Sequence, residues 1–228
     1  MPDISIIVPV ENESEAIGAL LELLKPMKER CEIIFVDGGS NDDTVSQIES
    51  MGYKAVQAPV KGRANQMNHG ASISGGDVLW FLHADSSPPE DALIQIGNVI
   101  NKGCKAGCFR IKFDSKHPLM LYNSIASNMR VRIRKIAFGD QGIFIRRQLF
   151  EELGGYAPIP LMEDYQLSED IKKAGLAFRL AKGKIKTSAR RYRKYGMLKT
   201  MLMMQALQRR YRRGHDPEEI AKAYDQNR

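Results

Sequence analysis

Long hydrophobic runs are missing from this chain of 228 residues. No apolar stretch approaches the roughly 20 residues a helix needs to cross a bilayer, so a spanning segment is not expected. Met1-Pro-Asp-Ile leads at once into a strand pattern, without a basic leader or cleavage site. No signal peptide is therefore expected, and the chain is placed in the cytoplasm. Cysteine is scarce: Cys31, Cys104 and Cys108 are an odd set without zinc-like spacing, which points to free thiols in a reducing compartment. G-x-G-x-x-G follows neither of the first two strand patterns, which excludes the dinucleotide fingerprint. Basic residues are few in the first half. Residues 1–100 carry 6 Lys/Arg against 15 Asp/Glu, and residues 101–228 carry 28 against 12. Such asymmetry means either that the second half faces something anionic (nucleic acid, an anionic membrane surface, a phosphorylated substrate) or that it is a solvated basic face.

What is present reads as one core-forming domain, 43% hydrophobic, with a C-terminal appendage. Two apolar runs, Ile33-Ile-Phe-Val-Asp37 and Trp80-Phe-Leu-His-Ala-Asp85, end abruptly in a carboxylate. Continuous apolar strands belong to parallel sheets covered on both faces, and such sheets bind ligands beyond their carboxyl ends. The spacing predicts strands at 4–10, 32–37, 54–57, 77–82, 107–113, 142–145 and 184–188. Helices are expected from a Ser14 cap through Ile17, Leu20, Leu21 and Leu24 to near Pro26, and at 44–51, capped by Thr44. Further helices are expected at 63–74, stopped by Gly75-Gly76, from Pro89 to about 102, and at 163–174 and 197–213, with a last one capped by Asp216. Leu121, Ile125, Met129 and Ile133 recur every fourth residue and suggest a helix, although Arg130-Val-Arg-Ile-Arg-Lys135 also alternates like a strand. The β-α-β rhythm of the first hundred residues argues for an α/β fold with a mainly parallel central sheet flanked by helices.

Five constellations carry chemistry, each with a plainer alternative. Glu11 and Glu13 after the first strand are either crevice carboxylates or first-turn acids of a helix. Asp37, before Gly38-Gly39, is placed to accept an imide N–H or a ribose hydroxyl, or simply to close a turn. Arg63 opens a helix, where a cation is unfavourable unless an anion sits nearby. Asp85 is a plausible Mg²⁺ or Mn²⁺ ligand, or a cap. Glu163 and Asp164 open a helix as dipole partners or, if one faces the crevice, as a general base.

Taken in order, Val-Pro-Val-x-Asn-Glu, Val-Asp-Gly-Gly-Ser-x-Asp-x-Thr, Gly-Arg-Ala-x-Gln-Met-Asn, Leu-His-Ala-Asp, Gly-Asp-Gln and Glu-Asp resemble the family 2 glycosyltransferases from about Ile4 to Arg191. Its short bacterial members are the most similar, some of them assigned to arsenosugar biosynthesis. The resemblance implies a GT-A nucleotide-sugar-binding fold over residues 1–190 and a basic, amphipathic helical extension over 191–228. It implies that Pro9, Glu11, Glu13, Asp37, Arg63, His83 and Asp85 border the donor, a nucleoside-diphosphate sugar with UDP favoured. Asp85 is then the ligand of a divalent metal, Mg²⁺ or Mn²⁺, with His83 standing where the family writes the first acid of D-x-D. Asp140, Gln141, Glu163, Arg190 and Arg191 are placed near the acceptor, and Asp164 is the expected catalytic base of an inverting displacement. Arg190-Arg-Tyr192 departs from the Q-x-x-R-W of processive members, which argues against a polymerising synthase.

Gly196–Leu207 is apolar and Met-rich between arginine clusters. It is read either as an interfacial helix on the inner face of a membrane, suiting a lipid-linked acceptor, or as packing on the catalytic domain. A small sugar is the other acceptor considered. Two further readings are a sugar-nucleotide nucleotidyltransferase, disfavoured because strand one runs into Glu11-Asn-Glu13, and a nucleic-acid-binding protein, for which no recognition motif accompanies the charge.

Overall fold

A computed structural model describes residues 2–226. The first half alternates β1 (Ile4–Val10), α1 (Ile17–Leu24), β2 (Glu32–Asp37), α2 (Thr44–Ser50), β3 (Lys54–Gln57), α3 (Arg63–Ile73) and β4 (Val78–Phe81). There follow β5 (Ser86–Ser87), α4 (Ala92–Asn101), β6 (Ala106–Phe113), α5 (Pro118–Arg134), β7 (Phe144–Arg146) and α6 (Arg147–Glu152). The chain continues through α7 (Glu163–Lys173), β8 (Arg179–Thr187), α8 (Arg190–Tyr195), α9 (Met197–Arg212) and α10 (Pro217–Asp225). The strands form one sheet in the order β3-β2-β1-β4-β7-β6-β8-β5. β1 pairs parallel with both β2 and β4, β2 with β3, and β6 with β8, while β7 runs antiparallel between β4 and β6.

Period-2 alternation of wholly apolar strands explains why helices cover both faces. Ile6, Val8, Phe35 and Trp80 pack with α1, α2 and α4 on one face. Ile7, Ile34, Val36, Leu79 and Phe81 pack with α3, α6 and α7 on the other. Segment 121–133 is helical, and the strand alternative for 130–135 is set aside. Its buried stripe is not the apolar repeat, however: Met120, Ser124, Ser127 and Val131 face inward, while Leu121, Ile125, Met129 and Ile133 are exposed.

Three capping expectations fail. Ser14 does not cap α1, which starts with the Ile17 N–H on the Glu13 carbonyl; Ser14 donates its own N–H to Asp42. Thr44 lies inside α2, where its hydroxyl donates to Asp42 and accepts from the Glu13 N–H at 2.8 Å, stitching the loop after β1 to the loop after β2. α3 stops where Ser74 turns extended, before the glycine pair. Gly76 serves close approach instead: its N–H reaches Ser5 Oγ at 2.8 Å, and a Cβ there would lie 2.7 Å from the Ser5 nitrogen. Asp216 does cap α10, accepting from the Glu218 N–H. α4 begins three residues after Pro89, and β8 is longer than expected, beginning at Arg179. β5, α6 and α8 were not anticipated, being too short to show a period.

The three cysteines are free, and no helix among the described residues is long and apolar enough to cross a membrane. Because the atoms opposing a Cβ at residue 76 include β1 backbone as well as Ser5 Oγ, Gly76→Ala is expected to destabilise the protein by about 1–3 kcal/mol. Chemical denaturation should register this as a lower midpoint at unchanged slope.

Candidate active site

A cavity of about 530 Å³ opens where β1, β4, β6 and β8 end, beside the β1/β4 boundary where the strand order reverses. Pro9, His83, Ala84, Asp85, Phe113 and Thr187 come to it from those strand ends. Arg63 enters from the first turn of α3, Glu163 and Asp164 from the first turn of α7, and Arg190, Arg191 and Tyr192 from α8.

Backbone geometry aims the α7 carboxylates. Met162 adopts a left-handed conformation, φ 72° and ψ 18°, immediately before the helix. That is uncommon for a residue with a side chain, and such conformations cluster at functional sites. Glu163 is buried, and its Oε1 stands 3.5 Å from Arg63 Nη1. Asp164 Oδ2 accepts the Gly139 N–H at 2.8 Å, and Oδ1 accepts the Tyr165 N–H at 2.7 Å. Gly139 in turn approaches the His83 imidazole closely, and a side chain at 139 would collide with that ring. The end of β4, the 139–141 turn and the start of α7 are thus locked around one point.

Carboxylates outnumber cations at this point, and burial dominates their ionisation. Asp140 is pushed up to about 6 by burial, opposed by Arg130, and its Oδ1 is buried without a hydrogen-bond partner. Glu163 and Asp164 are both raised by burial; Arg63 opposes the first, and the Gly139 N–H opposes the second. Burial, with Arg63 and Arg191 nearby, lowers His83 to about 3, so its imidazole is neutral. Among the described residues no three His, Cys, Asp or Glu side chains form a metal cage. The donor set nevertheless fits a hard cation shared with a ligand. Asp85 opens its carboxylate to the cavity, Asp140 adds an unsatisfied oxygen, and Mg²⁺ or Mn²⁺ takes few protein ligands when phosphate and water complete its shell.

Not every expected site residue reaches the cavity. Glu13 lines it, but Glu11 is exposed outside it. Asp37 is buried, lies outside the cavity lining, and accepts the N–H groups of Gly39 and Ser40 and the Ser40 hydroxyl, so it holds the β2 turn. Gln141 is fully buried; it accepts from Arg130 and the Phe138 N–H and donates to the Phe109 carbonyl, supporting the turn that carries Asp140. Arg190 and Arg191 do line the cavity, the latter stacked 4.8 Å from the Tyr224 ring centre. Sequence reasoning missed Arg130, whose guanidinium stacks 3.8 Å from the Phe138 ring centre while it props Gln141. It also missed the strained Met162. Neither carries a local sequence signal, since one belongs to an apparently periodic helix and the other to a loop.

The family model for glycosyl transferase family 2 matches residues 5–154. The chain belongs to that family. A probable glycosyltransferase, YdaM, from Bacillus subtilis is 28% identical over 205 residues, which are 78% of this chain and 49% of the relative. The chain spans about half to two thirds of the length of such curated relatives. Among solved structures, glucosyl-3-phosphoglycerate synthase from Mycobacterium tuberculosis, in complex with Mn²⁺, UDP and glucosyl-3-phosphoglycerate, superposes with a TM-score of 0.60 at 18% identity. That match covers 82% of this chain and 70% of the other. A mannosyltransferase from Pyrobaculum calidifontis, in complex with GDP-Man and Mn²⁺, gives 0.61 at 20% identity, covering 82% and 58%. These likenesses establish the GT-A fold.

The raised carboxylates set the sign of a pH effect. An acid whose folded pKa exceeds its unfolded value supplies stability below the unfolded pKa and loses it as pH rises through the folded one. For Asp140 that window runs from 3.8 to about 6, worth at most ~3 kcal/mol before solvent screening. Asp140→Asn is therefore expected to raise the melting temperature at pH 7.5 and to leave it nearly unchanged at pH 4, in thermal unfolding compared side by side with the parent protein.

Proposed function

We propose that the protein transfers a sugar from a nucleoside-diphosphate sugar, with UDP favoured, to an acceptor hydroxyl, inverting the anomeric centre. The observation that carries this reading is the Asp164 carboxylate, half-buried and held by two backbone N–H groups in the same cavity as Asp85 and Arg63. A carboxylate with raised proton affinity is suited to take the proton of an attacking hydroxyl. The acceptor oxygen attacks the anomeric carbon as Asp164 takes its proton, and the bond to the diphosphate oxygen breaks with its electrons leaving on the diphosphate. One base and no covalent nucleophile make a single displacement, hence inversion. Arg63 stands ready for a phosphate, since its present partner Glu163 is itself disfavoured as an anion by burial. Asp85 would hold a divalent metal, which when bound neutralises charge on the departing diphosphate. Glu13 and Pro9 border the donor side, and neutral His83 packs beside Asp85 without adding charge. Asp37 and Gln141 act through the loops they hold, and Glu11 takes no part. Residues 1–190 form the catalytic domain and the later helices complete its wall, Tyr195, Thr200, Met204 and Tyr224 all facing the cavity.

A thermal-shift panel of UDP, GDP, dTDP and CDP, with and without Mn²⁺, is expected to single out one nucleotide and to show a larger shift with metal. Asp85→Ala should abolish the metal increment. Asp164→Asn should keep the nucleotide shift and lower nucleotide release from the matching sugar donor by about 10²–10⁴-fold. Full turnover in Asp164→Asn would remove it as the base.

A further inference from the structure

The apolar repeat of α5 is left uncovered. Leu121, Tyr122, Ile125, Met129 and Ile133, on a helix that buries its opposite stripe, are each 41–70% exposed. α9 lies beside α5, and a second groove of about 520 Å³ runs between them, lined by Met129 and Ile133 on one side and Gln205 and Arg209 on the other. Residues 198, 202, 205 and 209 share one helical face. Leu198 and Leu202, 57% and 56% exposed, therefore continue the apolar surface along the far bank of the groove. The floor is shared with the active-site cavity through Phe113, Phe138, Asp140 and Tyr192.

Charge identifies what covers this face. Residues 115–139 and 188–215 contain no Asp or Glu. Arg132, Arg134 and Lys135 close α5, and Arg209, Arg210, Arg212 and Arg213 close α9. Among the described residues, none of Arg132, Arg134, Arg209 or Arg212 has a carboxylate within ion-pair distance. A second copy of the same α5–α9 face would offer these arginines no acid, since residues 115–139 and 188–215 contain none, so self-association through it leaves them unanswered. An apolar stripe with unanswered arginines gathered at one end matches instead the boundary between acyl chains and anionic head groups.

We propose that the α5–α9 face is a docking surface for an anionic lipid membrane, with α5 rather than the C-terminal helix alone as its apolar contact. Docking brings the mouth of the groove to the head-group layer, from which Asp140 and the cavity beyond are reached without leaving the protein surface. The docking itself stands on surface composition and does not depend on the transfer reaction.

Co-sedimentation of the whole chain with vesicles tests it. Phosphatidylcholine vesicles containing phosphatidylglycerol are expected to carry the protein down, pure phosphatidylcholine vesicles to do so weakly, and high salt to reduce the bound fraction. Ile125→Asp/Ile133→Asp should lower the bound fraction about tenfold. Leu121→Gln/Leu202→Gln should lower it less, and Ile94→Asp, on exposed α4 surface, not at all. All of these positions are exposed, so circular dichroism should match the parent. No sedimentation with anionic vesicles, or equal sedimentation of Ile125→Asp/Ile133→Asp, would overturn the proposal. So would a dimer in analytical ultracentrifugation that Ile125→Asp/Ile133→Asp converts to monomer, which would make the face a self-association surface.

Discussion

β1 holds two parallel neighbours and is buried on both faces, and the position of everything else follows from that. A strand paired as Ser5–Val10 with β2 and Ile4–Ile7 with β4 cannot shift register without moving Ile6 and Ile7 to opposite cores. Its carboxyl end, and that of β4, are therefore fixed relative to one another, and the chain reverses its winding direction between them. Loops leaving in opposite directions open a crevice that no side chain of either core can fill. Gln66 braces the crevice floor by donating to the carbonyls of Val10 and Val36, which end β1 and approach the end of β2.

Into that crevice the fold directs more negative charge than it neutralises. Asp85, Asp140, Glu163 and Asp164 are gathered by three separate segments around Arg63, with Arg130 behind the turn. Burial then raises proton affinity where no cation suffices. This arrangement stores instability, a common trade between stability and function. The unsatisfied Asp140 oxygen and the left-handed Met162 belong to the same economy of strain.

The C-terminal helices have two faces with separate duties. Leu207 packs with Ile136, Met162, Ile220 and Tyr224 beneath the α7 start, and Met201 packs with Ile111, Phe113 and Met120. The packing reading of the Met-rich helix is thus correct for one face of α9. Its other face lies open together with the outer stripe of α5, which sequence reading took for evidence of a helix without asking which side was buried.

Much of this was present in the sequence. Parallel strands declare themselves by uninterrupted apolar runs, and a carboxylate ending such a run has nowhere to go but the sheet edge, so Asp85 and the β-α-β half were legible. Arg63 and the Glu163-Asp164 pair were also legible, because a cation at a helix start and paired acids after a loop are chemically conspicuous. What stayed hidden depended on distance in space. Asp37 and Gln141 carry ligand-like sequence contexts, and only tertiary structure shows that Ser40 already engages the one and Arg130 the other. The α5 repeat specifies a helix by period alone, and a period is the same whether the stripe faces a core or the solvent. The local chain therefore determined which elements form and which residues carry charge. Only their packing decided which polar groups remain unpaired and which apolar stripe remains bare, because both depend on neighbours supplied from elsewhere in the chain.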